Sequence, residues 1–311
     1  MAGLRVLVTG GAGFIGSHTV DHLLAEGVEV VVLDNLRSGR LENIRQHVNK
    51  GNFRFVRGDI RDSHLVKDLV SDVDAVIHLA ALVSVPESIK DPALTYAINV
   101  NGTLNLLKAS VDFGVKRFVY ASSCAVYGDS ENLPIKEDYP PKPLSPYASS
   151  KLTAEDYVRK YNRNFGLETV CLRYFNVYGP RQICSNYSGV ITQFINRLTN
   201  GLPLVIFGDG EQTRDFVYVT DVAEANVLAL KHAKAIGEIF NIGTGVGTTI
   251  NRLASMLLEL AGKNSLETVH SEPREGDIRH SVADISKVKE KLGYCPKVSL
   301  KDGLKRLLRR V

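Results

Sequence analysis

Residues 9–16 read TGGAGFIG, and what flanks them limits the fold more than any other stretch does. Before them, residues 4–8 (LRVLV) form a short apolar run rich in β-branched side chains. After them, Ile15, Thr19, Val20, Leu23 and Leu24 recur at helical spacing. In a strand, turn and helix placed in that order, Gly10, Gly13 and Gly16 serve a tight turn, close approach of the backbone to a pyrophosphate, and packing of helix on strand. Phe14 and Ile15 open the helix, whose free N–H groups face the phosphates. A glycine triplet alone is weak evidence, but in this context it predicts a dinucleotide-binding unit.

The chain continues in the same grammar. Residues 28–33 form a continuous apolar strand ending in Asp34 and Asn35, about twenty residues beyond the turn. A carboxylate there accepts from ribose hydroxyls and repels a 2′-phosphate, which argues for NAD over NADP; Arg37 tempers this by offering a countercharge. A third strand, 53–56, leads to Asp59 and Ile60, with Asp59 placed to meet an adenine edge. A fourth, 75–79, ends in His78, Leu79, Ala80 and Ala81. The two alanines let backbone press on a cofactor, and His78 reads as a buried structural histidine. Leu94, Ile98, Leu104, Leu107 and Val111 predict one long helix over 92–113, with Asn99 counted among the cofactor residues. A fifth strand, 117–121, delivers Ser122 and Ser123, and 169–173 is a sixth.

Alternation of strand and helix weakens near residue 176, after which helices are expected near 190–200, 221–232, 250–261, 285–292 and 300–309. The fold class is therefore α/β, a Rossmann-type doubly wound parallel sheet over 1–175 with a smaller α/β domain for substrate over 176–311. With 44% hydrophobic and 23% charged residues, the 311-residue chain has ample material for a core. A net charge of +4 is too weak to suggest nucleic acid, and the basic cluster at 305–310 reads as a solvated helix face. Cys124, Cys171, Cys184 and Cys295 have no metal or disulfide spacing, so reduced thiols, a cytoplasmic setting and no metal site are expected. The first apolar run breaks at glycines too soon for a signal peptide or membrane span.

Tyr147 and Lys151 stand one turn apart if a helix starts near residue 145, so a phenol and an ammonium share one pocket. Such pairs are common, and only their surroundings make this one a candidate. At an effective dielectric of about 20, a charge roughly 6 Å away is worth about 2.8 kcal/mol, which would bring a tyrosine from about 10 to about 8. A cationic nicotinamide would bring it nearer 7.

Taken together, TGGAGFIG, SSCAVYG (122–128), YASSK (147–151), RYFNVYGPRQ (173–182), RDFVYVTDVA (214–223) and REGDIRHSVAD (274–284) resemble the extended short-chain dehydrogenase/reductase family, end to end and in order. Within it, the pattern is most similar to that of the UDP-hexose 4-epimerases. The resemblance implies bound NAD, a UDP-sugar substrate, and part of 215–245 crossing back to the first domain. Tyr147 would take the proton of the sugar 4-hydroxyl beside Lys151, and Ser123 would hydrogen-bond the same oxygen, supported by Ser122, which is also counted with the cofactor residues. Carbon 4 would give its hydride to NAD, and the 4-keto sugar would rotate and receive it on the other face. Asn176, Arg214 and Arg274 match positions that contact the UDP pyrophosphate and nearby ribose, and Asp277 one that accepts from the uridine ribose. Phe207 is placed at the uracil, and Ser84 and Val190 join the substrate set.

Two details discriminate within the family. Related dehydratases carry an Asp-Glu pair where this chain has Cys124 and Ala125, which argues against dehydration. A small residue at the position of Ser281 leaves room for an N-acetyl group, so UDP-GlcNAc and UDP-GalNAc are expected substrates beside UDP-Glc and UDP-Gal. A homodimer through the helices at 92–113 and 145–164 is also implied. A UDP-uronic acid epimerase, a reductase and a non-catalytic NAD-binding protein remain as alternatives.

Overall fold

The computed structural model describes residues 3–130, 132–183, 189–273 and 278–309, so Arg274 and Asp277 lie outside the described residues. The chain begins with β1 (Arg5–Thr9), α1 (Phe14–Ala25), β2 (Glu29–Asp34), β3 (Phe53–Arg57), α2 (Ser63–Val70) and β4 (Ala75–His78). It continues through α3 (Val85–Lys90), α4 (Pro92–Tyr96), α5 (Gly102–Asp112), β5 (Arg117–Ser123), α6 (Pro146–Phe165) and β6 (Glu168–Tyr174). Next come β7 (Asn176–Tyr178), α7 (Val190–Thr199), β8 (Leu204–Phe207), β9 (Thr213–Tyr218), α8 (Val219–Lys231) and β10 (Ile239–Ile242). The last elements are β11 (Gly247–Thr249), α9 (Ile250–Ala261), β12 (Thr268–Ser271), β13 (His280–Ser281), α10 (Ser286–Leu292) and α11 (Leu300–Leu308).

Among the described residues, seven strands form one parallel sheet in the order β10-β6-β5-β4-β1-β2-β3. Helices cover both faces, so the strands read as unbroken apolar runs rather than alternating ones. Successive side chains still point to opposite sides. Val6, Val8, Val30, Val32 and Ile77 pack with α1 and α8, whereas Leu7, Val31, Leu33, Val76 and Phe118 pack with α2, α5 and α6. Strand order reverses between β1 and β4, and the carboxyl ends there open the crevice in which such sheets take their ligands.

The second half builds its own core from Tyr178, Ile191, Phe194, Leu204, Ile206, Phe216, Leu253 and Leu257 beneath β7, β8 and β9. Part of it returns to the first sheet. Helix α8 lies on α1 and β10 pairs with β6, and α10 lies against β10, with Lys287 Nζ donating to the Ile239 carbonyl at 2.8 Å. Buried Arg117 ties this return in place. Its Nη1 donates to the carbonyls of Ala229 (2.8 Å) and His232 (3.0 Å) at the end of α8, while Nε and Nη2 hold Glu168.

One element departs from the expected pattern. Residues 92–113 are not a single regular helix, because a π-helical segment, Ala97–Asn101, separates α4 from α5. At its centre Asn99 accepts from Leu82 N (2.8 Å) and donates to Leu82 O (3.0 Å) and Ser150 Oγ (2.9 Å). The wider turn accompanies a side chain that brackets the loop after β4 against α6, a polar demand that apolar spacing does not register. No helix among the described residues is long and apolar enough to cross a membrane.

Arg117→Ala is expected to lower the unfolding free energy by about 2–4 kcal/mol, since it strands buried carbonyls. Urea unfolding measures this, and a change below about 0.5 kcal/mol would mean that solvent satisfies them.

Candidate active site

The glycine turn is built by crowding from behind. Gly10 adopts φ +70°, and a Cβ there would stand 2.7 Å from Ala80 N, so the backbone of Leu79 and Ala80 is pressed against it. A Cβ on Gly16 would stand 2.1 Å from the Gly10 carbonyl, and one on Gly13 3.1 Å from it. Thr9 and His78 brace the same seam. Ala80 N donates to Thr9 Oγ1 at 3.3 Å, and His78 bonds Thr9 through Nδ1 (2.7 Å) and Thr103 through Nε2 (2.8 Å). Burial takes His78 down to about 3, so it is a neutral structural imidazole, as its sequence context suggested. Helix α1 starts at Gly13 with no side-chain cap, leaving first-turn amides of the kind a diphosphate satisfies.

Around this turn, several candidate side chains are committed to the protein. The buried Asp34 carboxylate accepts from Ala12 N (3.0 Å) and Leu36 N (2.8 Å), bracing the turn against the end of β2. Burial pushes its pKa up and these amides oppose that push. A carboxylate has about four acceptor sites, so the brace leaves capacity for a ribose hydroxyl. Arg61 holds Asp59 down to about 2, and Asn35 Nδ2 donates to it at 3.0 Å. Arg37, considered above as a phosphate countercharge, pairs with Glu87 on α3. Ile60 is buried against Gly102, Ala81 is half-buried, and Ser84 caps α3 by accepting from Glu87 N.

The catalytic candidates meet where β5 ends beside α6. Ser145 caps α6 through Ala148 N (3.2 Å), Pro146 occupies its first turn, and Tyr147 N donates to Ser88 Oγ (3.1 Å). The Tyr147 phenol neighbours Ser123, whose side chain pulls its pKa down. Lys151 is 4% exposed, and its Nζ lies 4.7 Å from the centre of the Tyr120 ring. Burial takes Lys151 down to about 7, against the pull of Glu155. The expectation of an acidic tyrosine is corrected here. Burial pushes Tyr147 up to about 12, opposed by the Ser123 side chain, and no offset from Lys151 appears. The side chain is half-buried, but protein packed around its hydroxyl desolvates the phenolate, and the ammonium sits over Tyr120 instead. The Ser122 hydroxyl, next to Ser123 in the chain, donates to Glu155 Oε2 at 2.6 Å.

The second half of the chain holds a cleft of about 340 Å³ whose lining includes Asn176, Val190, Phe207, Gln212 and Arg214. Asn176 Nδ2 is a buried donor with no hydrogen-bond partner among the described residues, as an anionic ligand would require. Ser281 is the strand neighbour of Arg214, and its side chain lies beside Cys124, whose thiol pKa it pulls down. The positions thought to read the sugar and the diphosphate thus adjoin Ser123. Burial raises the Cys124 thiol to about 11, so it stays protonated. Gln182, the last residue of RYFNVYGPRQ, and Gln193, which lies in no quoted motif, also line the cleft. No cluster of three or more metal-ligating side chains occurs among the described residues.

Residues 6–243 match the model of the NAD dependent epimerase/dehydratase family. A UDP-glucose 4-epimerase of Mycolicibacterium smegmatis is 42% identical over 303 residues, covering 97% of this chain and 96% of that protein. The solved structure of a UDP-glucose 4-epimerase from Thermotoga maritima with UDP-glucose is 44% identical, with a TM-score of 0.93 and 98% of each chain covered. A UDP-N-acetylglucosamine 4-epimerase from Methanobrevibacter ruminantium, in complex with UDP-N-acetylmuramic acid, is 38% identical, with a TM-score of 0.94 over 99% of this chain and 98% of that one.

The buried ammonium yields a stability test on protein stripped of nucleotide. With Lys151 at about 7 when folded and 10.5 as its ordinary value, the unfolded chain carries a proton between those pH values that the folded chain lacks. Stability therefore rises with pH across that window, by up to about 1.4 kcal/mol per pH unit. Lys151→Met is expected to be more stable than wild type at pH 7 and to lose this advantage toward pH 10. Urea unfolding at both pH values reads it, and a pH-independent difference would contradict the burial penalty.

Proposed function

The chain belongs to the NAD dependent epimerase/dehydratase family, and from that premise we propose that it is an isomerase, a UDP-hexose 4-epimerase interconverting UDP-glucose and UDP-galactose. The observation that carries this reading is the Tyr147 phenol in contact with Ser123 and one helical turn from Lys151, with neutral Cys124 next in the chain. Bound NAD supplies the hydride acceptor and donor at carbon 4 of the sugar. Tyr147 takes the 4-hydroxyl proton as general base and later returns it, while Ser123 bonds the same oxygen and relays that proton. Lys151 contributes positive charge that favours the phenolate once its ammonium turns from the Tyr120 ring toward Tyr147. Gly10, Gly13 and the start of α1 hold the cofactor's diphosphate, with Asp34 at the adenosine ribose. Asn176 and Arg214 hold the substrate's diphosphate, with Phe207 at the uracil. Elimination of water would need an acid and a base beside Ser123, and a protonated thiol and an alanine supply neither.

Ser281 deepens the reading. It is a small buried side chain beside Cys124 and the strand neighbour of Arg214, and this supports room for a 2-acetamido group, hence turnover of UDP-GlcNAc and UDP-GalNAc as well. We also propose a homodimer through the helices of residues 92–112 and 146–165. Exposed Phe113 and Phe165 at the ends of these helices support it.

Purified protein without added NAD is expected to convert UDP-Gal and UDP-GalNAc to their 4-epimers, followed by chromatography. No conversion of either, with NAD supplied, would overturn the assignment. Tyr147→Phe is expected to lower kcat by about 10²–10⁴-fold, and near-normal turnover would sink the mechanism. Ser281→Tyr should lose UDP-GalNAc turnover while retaining that of UDP-Gal; equal retention of both would remove the role of Ser281.

A further inference from the structure

Glu155 and Arg173 take no part in the chemistry above, yet with Ser122 they fill the wall directly behind it, each nearly inaccessible to solvent. Arg173 donates to Glu155 from Nε (3.1 Å) and Nη2 (2.6 Å), a two-pronged pairing, while the Ser122 hydroxyl donates to Glu155 Oε2 at 2.6 Å. The guanidinium is fixed further by the Glu137 carbonyl at 3.1 Å and by the Tyr127 ring, whose centre lies 4.6 Å away. Ser122 and Arg173 are register partners across β5 and β6.

Three elements thus converge on one carboxylate, and two of them, β5 and α6, carry the reacting groups. Ser122 directly precedes Ser123. Glu155 follows Lys151 by one helical turn and Tyr147 by two, on the same face of α6. A shift of α6 along β5 would part Tyr147 from Ser123, and this carboxylate is bonded across that seam. Buried ion pairs add little net stability over apolar packing of equal volume, so stability alone is a weak reason for this one.

Charge points the same way. Lys151 is faced by Tyr120 on β5, Cys171 on β6 and His78 on β4. Burial keeps the phenol and the thiol protonated and the imidazole neutral, and does the same for Tyr147 and Cys124. On the other elements against α6, Glu87 pairs with Arg37, Asp91 caps α4, and Lys108 and Asp112 of α5 are exposed. Among the described residues, Glu155 is the carboxylate left to face the ammonium.

We propose that Glu155, held by Arg173 and Ser122, is a positioning residue that fixes Ser123 against Tyr147 and supplies the anion facing Lys151. This rests on the epimerase reading of those three residues. Two variants test it: Glu155→Leu with Arg173→Met, which removes both charges and keeps volume, and Ser122→Ala, which removes only the bond to the strand end. Lys151 is titrated by NMR of protein labelled at lysine Cε, assigned through Lys151→Met, and kcat and KM are measured with UDP-Gal across pH.

In the double variant Lys151 is expected to titrate at lower pH and the alkaline limb of kcat to move with it. Its kcat should fall by roughly tenfold or more, with KM changed much less. Ser122→Ala is expected to lower kcat while leaving the Lys151 titration in place. An unchanged Lys151 titration in the double variant, or wild-type kcat in Ser122→Ala, would overturn the proposal. If the double variant does not fold, Ser122→Ala decides: a lower kcat at unchanged KM supports positioning and a wild-type kcat refutes it. A wild-type chain inactive on UDP-sugars would overturn the functional reading instead, and the titration would still judge the proposal.

Discussion

An ammonium with almost no water around it is an expensive thing to build into a protein, and much of this fold is arranged around Lys151. Helix α6 is held from outside by Tyr96 on Ser149 and Asn99 on Ser150, and from within by Glu155 on Ser122 and Arg173. The Tyr120 ring lies over the charge. Each contact limits sliding of α6 against the sheet, and the Tyr147 to Ser123 contact depends on that alignment. The seven parallel strands supply the rigid edge from which the alignment is made.

The same burial explains why the tyrosine differs from its sequence-based expectation. Spacing on a helix counts charges but not water. Tyr147 and Lys151 have the expected spacing, yet dehydration pushes the phenol to about 12 and the ammonium to about 7, each toward its neutral form. A cation placed over the phenol works against the first shift, since it favours the phenolate, and adds to the second. The oxidised nicotinamide has the required charge, so proton removal in this site is linked to the presence of the cofactor that receives the hydride.

What could be read from the sequence follows from how local each signal is. The strands of the main sheet were legible because burial on both faces demands unbroken apolar runs, and the glycine turn because its spacing answers to backbone geometry alone. Asn99 was misread as part of a regular helix, since its hydrogen bonds go to Leu82 and Ser150, distant in sequence. Ser122 looked like a partner of Ser123, but alternation along β5 sends its side chain to the opposite side, toward Glu155. Glu155 and Arg173 belong to no motif of chemistry. The signal that pointed to them was a carboxylate one turn after Lys151 on a face that is otherwise apolar or small.

At its far end the cleft is organised by one strand pairing. Placing β13 beside β9 sets Ser281 next to Arg214, and the loop after β5 brings Cys124 onto the same spot. Ser281, Arg214 and Cys124, the residue after Ser123, therefore share one junction. A buried serine at that junction, beside a protonated thiol, is placed where the size of residue 281 bears on the space next to Cys124.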